Sequence, residues 1–271
     1  MDIPLPEELA RRARDLRAGL VRPVPARDAA TVVLLRDDPL RVYLLRRRTS
    51  MAFAAGAWVF PGGSVDASEQ ADSWAGPSPA EWAVMLGADE RTARGLVCAA
   101  VRETFEESGV LLAGPTPGTV VADTTGWEAE REAVIARTLP FGEFLNGEGL
   151  VVRSDLLKPW AHWITPELEP RRFDTRFFVA ALPPEQETRD VGGEADAVAW
   201  MRPAEALDAA NSGKIFLMPP TIHTLTEMAA FDTIAGVFAN DQKIVTFMPQ
   251  VVEVHGEMRL DVSRTDYRRP R

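Results

Sequence analysis

The stretch Arg102-Glu103-Thr104-Phe105-Glu106-Glu107-Ser108-Gly109-Val110 constrains this chain more than any other. Just before and within it, Leu96, Val97, Ala100, Val101 and Phe105 recur at the three- and four-residue spacing of a helix packed on a core. On such a helix Glu103 stands one turn before Glu106 and Glu107, so three carboxylates can converge on one point of the outward face. Gly109 ends the helix, because a residue without Cβ enters the left-handed conformation at little cost. Three like charges at this density destabilise a bare helix. A divalent cation among them removes the penalty, and hard oxygen ligands select Mg²⁺ or Mn²⁺. An acidic run alone is most often a solvated face. Here Arg102 is placed to pair with and orient the carboxylates, and Phe60-Pro61-Gly62-Gly63 upstream offers a turn whose backbone carbonyl could complete a metal shell.

These residues resemble the Nudix hydrolases. The family's box reads Gly, five residues, Glu, seven residues, Arg-Glu, an apolar residue, any residue, Glu-Glu, any residue, Gly and an apolar residue. Gly63 and Glu69 match its front half, and Arg102 to Val110 its back half, with Thr104 in an apolar position. The spacing departs further: thirty-two residues separate Glu69 from Arg102. An interrupted box resembles one branch, the peroxisomal coenzyme A diphosphatases. The lead-in 53–63, the segments Trp163-Ile164-Thr165-Pro166 and 171–178, and Pro219-Pro220-Thr221 with Leu225 are similar to that branch as well.

The resemblance implies an α/β fold, a Nudix-type α/β/α sandwich with a mixed sheet. It also implies a helical insertion at 70–94 within a single domain spanning 1–271, and a helical elaboration at 114–158. Along the chain, 6–20 reads as a polar N-terminal helix. Residues 29–35 and 41–45 are strands separated by Asp37-Asp38-Pro39, a hairpin pattern. The glutamate-bearing helix covers about 93–108. After a Pro-, Gly- and Thr-rich loop at 114–125, two amphipathic stretches at 127–137 and 141–147 suggest short helices. The sheet resumes at 161–165, 176–181 and 195–201, followed by helices at 203–211 and about 221–230.

Composition bounds the function. With 271 residues and 46% hydrophobic content the chain can bury one substantial core. No apolar stretch approaches the roughly 20 residues of a membrane span, and the N-terminus lacks a secretory pattern. A single cysteine, Cys98, excludes an internal disulfide, so a cytoplasmic location is expected. A net charge of -10 argues against nucleic-acid binding. It leaves room for a small phosphorylated ligand met by local arginines, of which Arg46-Arg47-Arg48 and Arg171-Arg172 are the clusters. Oligomeric state is left open, a homodimer included.

By resemblance, Glu103, Glu106 and Glu107 bind Mg²⁺ or Mn²⁺ with the Gly63 carbonyl as a further ligand. Glu69 and Arg102 form a supporting ion pair, and Arg171 and Arg172 meet the substrate. Glu106, Glu107 and Arg102 are the expected catalytic set. Glu194, in Gly192-Gly193-Glu194-Ala195-Asp196, is the candidate general base or extra ligand, against the alternative of an ordinary acidic turn. His162 and His223 have no partner at metal-ligand spacing and read as structural hydrogen-bonding groups. Trp58, Trp163 and Phe178 read as core or strand residues. The expected activity is metal-dependent hydrolysis of a diphosphate in a nucleoside diphosphate linked to another group, coenzyme A or its acyl esters first. Nucleotide sugars, dinucleotides and NADH are the alternatives, and a non-catalytic Nudix-derived sensor is the alternative of another class. A di-iron protein is discounted, since no Glu-x-x-His pair occurs.

Overall fold

The computed structural model describes residues 2–49, 54–66, 71, 73–189 and 195–263. In chain order the first elements are β1 (Asp2–Pro4), α1 (Glu7–Arg17), β2 (Arg27–Arg36), β3 (Arg41–Arg47), β4 (Ala57–Val59), β5 (Gly62–Ser64) and β6 (Trp74–Ala75). Then come α2 (Pro79–Leu86), α3 (Glu90–Ser108), β7 (Ala113–Gly114), α4 (Glu128–Ile135), α5 (Phe141–Gly147), β8 (Val151–Arg153), β9 (Leu157–Ile164) and β10 (Phe173–Ala181). The remainder is β11 (Ala195–Met201), α6 (Pro203–Asn211), β12 (Phe216–Leu217), α7 (Pro219–Met228), α8 (Ile234–Ala239), β13 (Thr246–Phe247), β14 (Gln250–Val254) and β15 (Glu257–Asp261).

The run of β-branched and apolar residues in β2 is buried on both faces, as expected of a central strand covered by helices on each side. Ala30, Val32 and Leu34 face one core, built with α2, α3, α4 and α5, while Val33 and Leu35 face the other, closed by α6, α7 and α8. Around β2 lies a nine-stranded mixed sheet in the order β12-β4-β3-β2-β10-β9-β13, with β11 added to β3 and β5 to β2. The result is the helix-sheet-helix sandwich expected from the sequence.

Strand β2 changes partner along its length. Leu35 and Arg36 pair with β3, whereas Ala29, Ala30 and Thr31 pair with Ser64, Gly63 and Gly62 of β5. The chain therefore splays at this end of the sheet, and the Gly-Gly strand lies beside the glutamate-bearing α3. Both glycines are required by crowding: a Cβ on Gly62 would fall 2.6 Å from the Ala30 carbonyl oxygen, and one on Gly63 2.6 Å from Glu103 Cδ.

Helix α3 starts earlier than apolar spacing suggested, at Glu90, because the Asp89 side chain caps it by accepting the Thr92 N–H at 2.9 Å. It stops at Gly109, whose φ of 74° is the left-handed value anticipated. The described part of the insertion holds β6, α2 and the first turn of α3; α2 is bounded by a Ser78–Glu81 capping box and a left-handed Gly87. It lies outside the central sheet, sealing the α3 core with Trp82 edge-on to Phe178. Several features lack a counterpart in the sequence reading. Among them are helix α8, the small sheet β6-β8-β7, and a sheet in which β1 pairs with β15 of the hairpin β14–β15, bringing the two ends of the described chain together.

Candidate active site

Glu103, Glu106 and Glu107 of α3 line one cavity of about 540 Å³ together with Gly62 and Gly63 of β5. Its volume is that of a small-molecule site. The glutamates were expected to face outward. Instead Glu103 is only 6% exposed and Glu106 8%, because the splayed end of the sheet and α4 cover the polar face of α3 as well as its apolar one.

Arg102 explains how so much negative charge is tolerated at such burial. It is fully buried, with Nη1 2.7 Å from Glu103 Oε1 and 2.8 Å from Glu106 Oε1, while Nη2 donates to the Ser64 carbonyl at 2.9 Å. Glu107 is held separately, its Oε2 accepting the Gly62 N–H at 2.7 Å. The pairing of Arg102 with Glu69 falls outside the described residues, as does Glu194. Burial above all, with the charge of Glu106 beside it, pushes the Glu103 carboxyl up to about 7 against the pull of Arg102 and Arg137.

The three carboxylates thus share a cavity without the convergence that helical spacing allows. Among the described residues no three acidic, His or Cys side chains gather into a metal cage. Glu103 and Glu106 share Arg102 Nη1 as counter-charge, whereas Glu107 turns to the Gly62 N–H. The donor set nevertheless suits a hard divalent cation: carboxylate oxygens line one wall, and the bare backbone of Gly63 lies against Glu103 where any side chain would collide.

Elsewhere the cavity is cationic and apolar. Arg47, Arg137 and Arg171 line it, from β3, the end of α4 and the β9–β10 connection. Trp163, Phe173, Phe177, Phe60, Met218 and Pro219 form apolar walls. Glu169 is also at the wall, its carboxyl raised by burial against the charge of Arg12. Arg137 and Glu169 carry no sequence signal that marks them, since their place depends on how remote segments pack.

The two arginine clusters divide. Within the first, only Arg47 reaches the cavity; Arg46 pairs with Asp196 at 2.6 Å, and Arg48 donates to the Ala195 carbonyl at 3.3 Å. Within the second, Arg171 lines the cavity, whereas Arg172 corrects the expectation. It is buried and donates to the carbonyls of Thr165 at 3.0 Å and Val24 at 2.8 Å, so its guanidinium braces the strand end instead of facing substrate. Both lie in the β9–β10 connection, ahead of β10, and the path of that loop brings the carbonyls of Thr165 and Val24 within reach of Arg172.

Both histidines are structural. His162 is buried between Asp174, 2.5 Å from Nε2, and Thr246, 2.7 Å from Nδ1, with Arg176 also on Asp174. His223 lies 3.2 Å from Glu227 and edge-on to Trp163. Phe178 is core, as expected. Trp163 is a strand residue packed edge-on to Phe247, and it presents part of its ring to the cavity.

Comparison with known proteins bears on the family and the fold. Residues 88–228 match the model of the NUDT19 Nudix domain. A Caenorhabditis elegans protein named as a nudix hydrolase is 31% identical over 235 residues, covering 85% of this chain and 70% of that protein. An acyl-coenzyme A diphosphatase of Xenopus laevis is 29% identical over 232 residues, covering 70% of this chain but 60% of its own length. Among solved structures, a NUDIX hydrolase from Alicyclobacillus acidocaldarius superposes with a TM-score of 0.67 at 28% identity, over 80% of this chain and 97% of that one.

Proposed function

Since this chain belongs to the Nudix hydrolases, we propose that it hydrolyses the diphosphate of a nucleoside diphosphate linked to an acylated or thiol-bearing arm, with coenzyme A and its acyl esters as the preferred class. The observation that carries this reading is one cavity with three unlike walls. Glu103, Glu106 and Glu107 form an acidic wall, Arg47 and Arg171 supply guanidinium groups, and Trp163, Phe177 and Met218 offer apolar surface. A diphosphate, a phosphorylated ribose and a long weakly polar arm need these three environments. The name acyl-coenzyme A diphosphatase carried by relatives supports the same class.

In the reaction, water attacks one phosphorus, the bond from that phosphorus to the bridging oxygen breaks, and the bridging oxygen leaves with the other phosphate. A divalent cation held by Glu103, Glu106, Glu107 and the Gly63 carbonyl would neutralise the phosphate oxygens. Arg102 orients Glu103 and Glu106 from behind, through the paired contacts its fork permits. Arg47 and Arg171 hold the phosphates of the substrate, a task for which guanidinium groups are suited. Glu194 remains the candidate to take the proton of the attacking water.

A panel of coenzyme A, acyl-coenzyme A, dephospho-coenzyme A, NADH and a nucleotide sugar, assayed with Mg²⁺ and with Mn²⁺, tests the reading when products are identified by mass. The expected products are 3',5'-adenosine diphosphate and a 4'-phosphopantetheine derivative, with dephospho-coenzyme A the poorer substrate. Equal turnover with and without the 3'-phosphate, or a preference for NADH or the nucleotide sugar, would replace coenzyme A by that class. Ligand binding without turnover of any of them would make the protein a sensor.

A further inference from the structure

Arg137 occupies a position where glycine is the usual residue. Helix α4 ends in a double hydrogen-bond closure: the Thr138 N–H donates to the Ala133 carbonyl and the Arg137 N–H to the Val134 carbonyl, each at 3.0 Å. That pattern forces the first residue beyond the helix into the left-handed region, and Arg137 has φ 60°. A side chain with Cβ is disfavoured there. Strained residues of this kind persist where the surroundings over-determine them and where function uses what they carry.

What Arg137 carries is a guanidinium at the mouth of the cavity that contains Glu103, Glu106 and Glu107. The helix that presents it is fixed to the glutamate helix: buried Arg131 of α4 donates from Nη1 to the carbonyl of Glu106 at 2.7 Å and pairs with Glu128 on its own helix. Arg189 ties the start of the same segment down by donating to Thr124 Oγ1 at 2.8 Å. The register of α4 against α3 is therefore held by a hydrogen bond to the very residue that bears a candidate ligand.

We infer that the helical segment after α3 belongs to the active site, and that Arg137 binds the substrate diphosphate on the side opposite the carboxylates. The inference rests on the functional reading above and adds a residue to it. A left-handed arginine at the end of a short helix directs a five-donor fork back toward the cavity, where it can meet phosphate oxygens in pairs.

Substitution by glycine separates function from fold. Arg137→Gly relieves the backbone strain and should raise Tm by about 2 °C, while kcat/KM on the substrate found by the panel falls at least tenfold. Affinity for ADP in Mg²⁺, measured by calorimetry, should fall by the same order. Arg137→Ala and Arg137→Lys keep the left-handed strain and differ in charge, so the lysine variant should recover part of what the alanine variant loses, whatever glycine does to stability. Loss of less than tenfold in kcat/KM for both the glycine and the alanine variants, in an enzyme that Glu106→Gln inactivates, would overturn the role of Arg137 and leave the functional reading standing. Failure of the wild type both to cleave any diphosphate and to bind ADP would remove the functional reading, and this inference with it.

Discussion

Glu107 accepts a 2.7 Å hydrogen bond from the backbone N–H of Gly62, and through it the last turn of α3 is joined to the Gly-Gly strand β5. One carboxylate oxygen is thereby engaged by the fold. The contact sets the distance between the acidic wall and the backbone expected to share a cation with it.

Glu106→Gln and Glu107→Gln preserve shape and, at 107, an oxygen that can still accept from Gly62. Each removes one negative charge from the cavity wall. Turnover should fall by roughly 10²-fold or more in both, with far-UV circular dichroism unchanged. Activity within a few fold of wild type in both variants would remove α3 from the catalytic machinery.

Arg102 is the counter-charge for two buried carboxylates and has no exposed surface. Arg102→Met fills similar volume but leaves Glu103 and Glu106 uncompensated, so it should destabilise the metal-free protein by about 3–5 kcal/mol. Urea unfolding in EDTA measures this. A change below about 1 kcal/mol would mean that the two carboxylates take up protons or water at little cost, and that Arg102 is not what holds them.

Gly63→Ala places a methyl group 2.6 Å from Glu103 Cδ. Either Glu103 or β5 must move, and affinity for Mn²⁺ should drop by roughly 10- to 100-fold, as when the surroundings of a metal ligand are disturbed. Electron paramagnetic resonance titration of free Mn²⁺ reads the effect. Wild-type affinity in this variant would place the cation away from the Glu103–Gly63 contact.

The Glu103 carboxyl titrates near 7 in the folded chain against an ordinary value of 4.5. Between those values the folded state holds a proton that the unfolded state has lost. The contribution of Glu103 to metal-free stability is therefore full below pH 4.5 and declines as pH rises toward 7. A cation bound by the ionised carboxylate must first displace that proton. The Tm increase produced by saturating Mn²⁺ should accordingly be larger at pH 8 than at pH 6, and an increase independent of pH would exclude Glu103 as a ligand.

Local chemistry was legible without coordinates. The apolar spacing from Leu96 to Phe105 identified α3, and Gly109 its end. These features depend on residues a few positions apart, so the sequence contains their cause. The hairpin β14–β15 was also within reach, since His255 and Gly256 form a two-residue turn with φ of 52° and 82°.

What tertiary structure decided is which surfaces are covered and which charges meet. Helical periodicity distinguishes two faces of α3 but cannot tell that the charged face is covered too, which is why Glu103 is buried and its carboxyl raised. Adjacent arginines look equivalent in sequence, yet the path of the β9–β10 connection leaves Arg171 on the cavity and Arg172 on the carbonyls of Thr165 and Val24. Arg137 becomes part of the site only because Arg131, six residues earlier, donates to the carbonyl of Glu106 on another helix. The energies of burial and of charge pairing depend on distances through space, and residues far apart in the chain set those distances only once the sheet has closed against its helices.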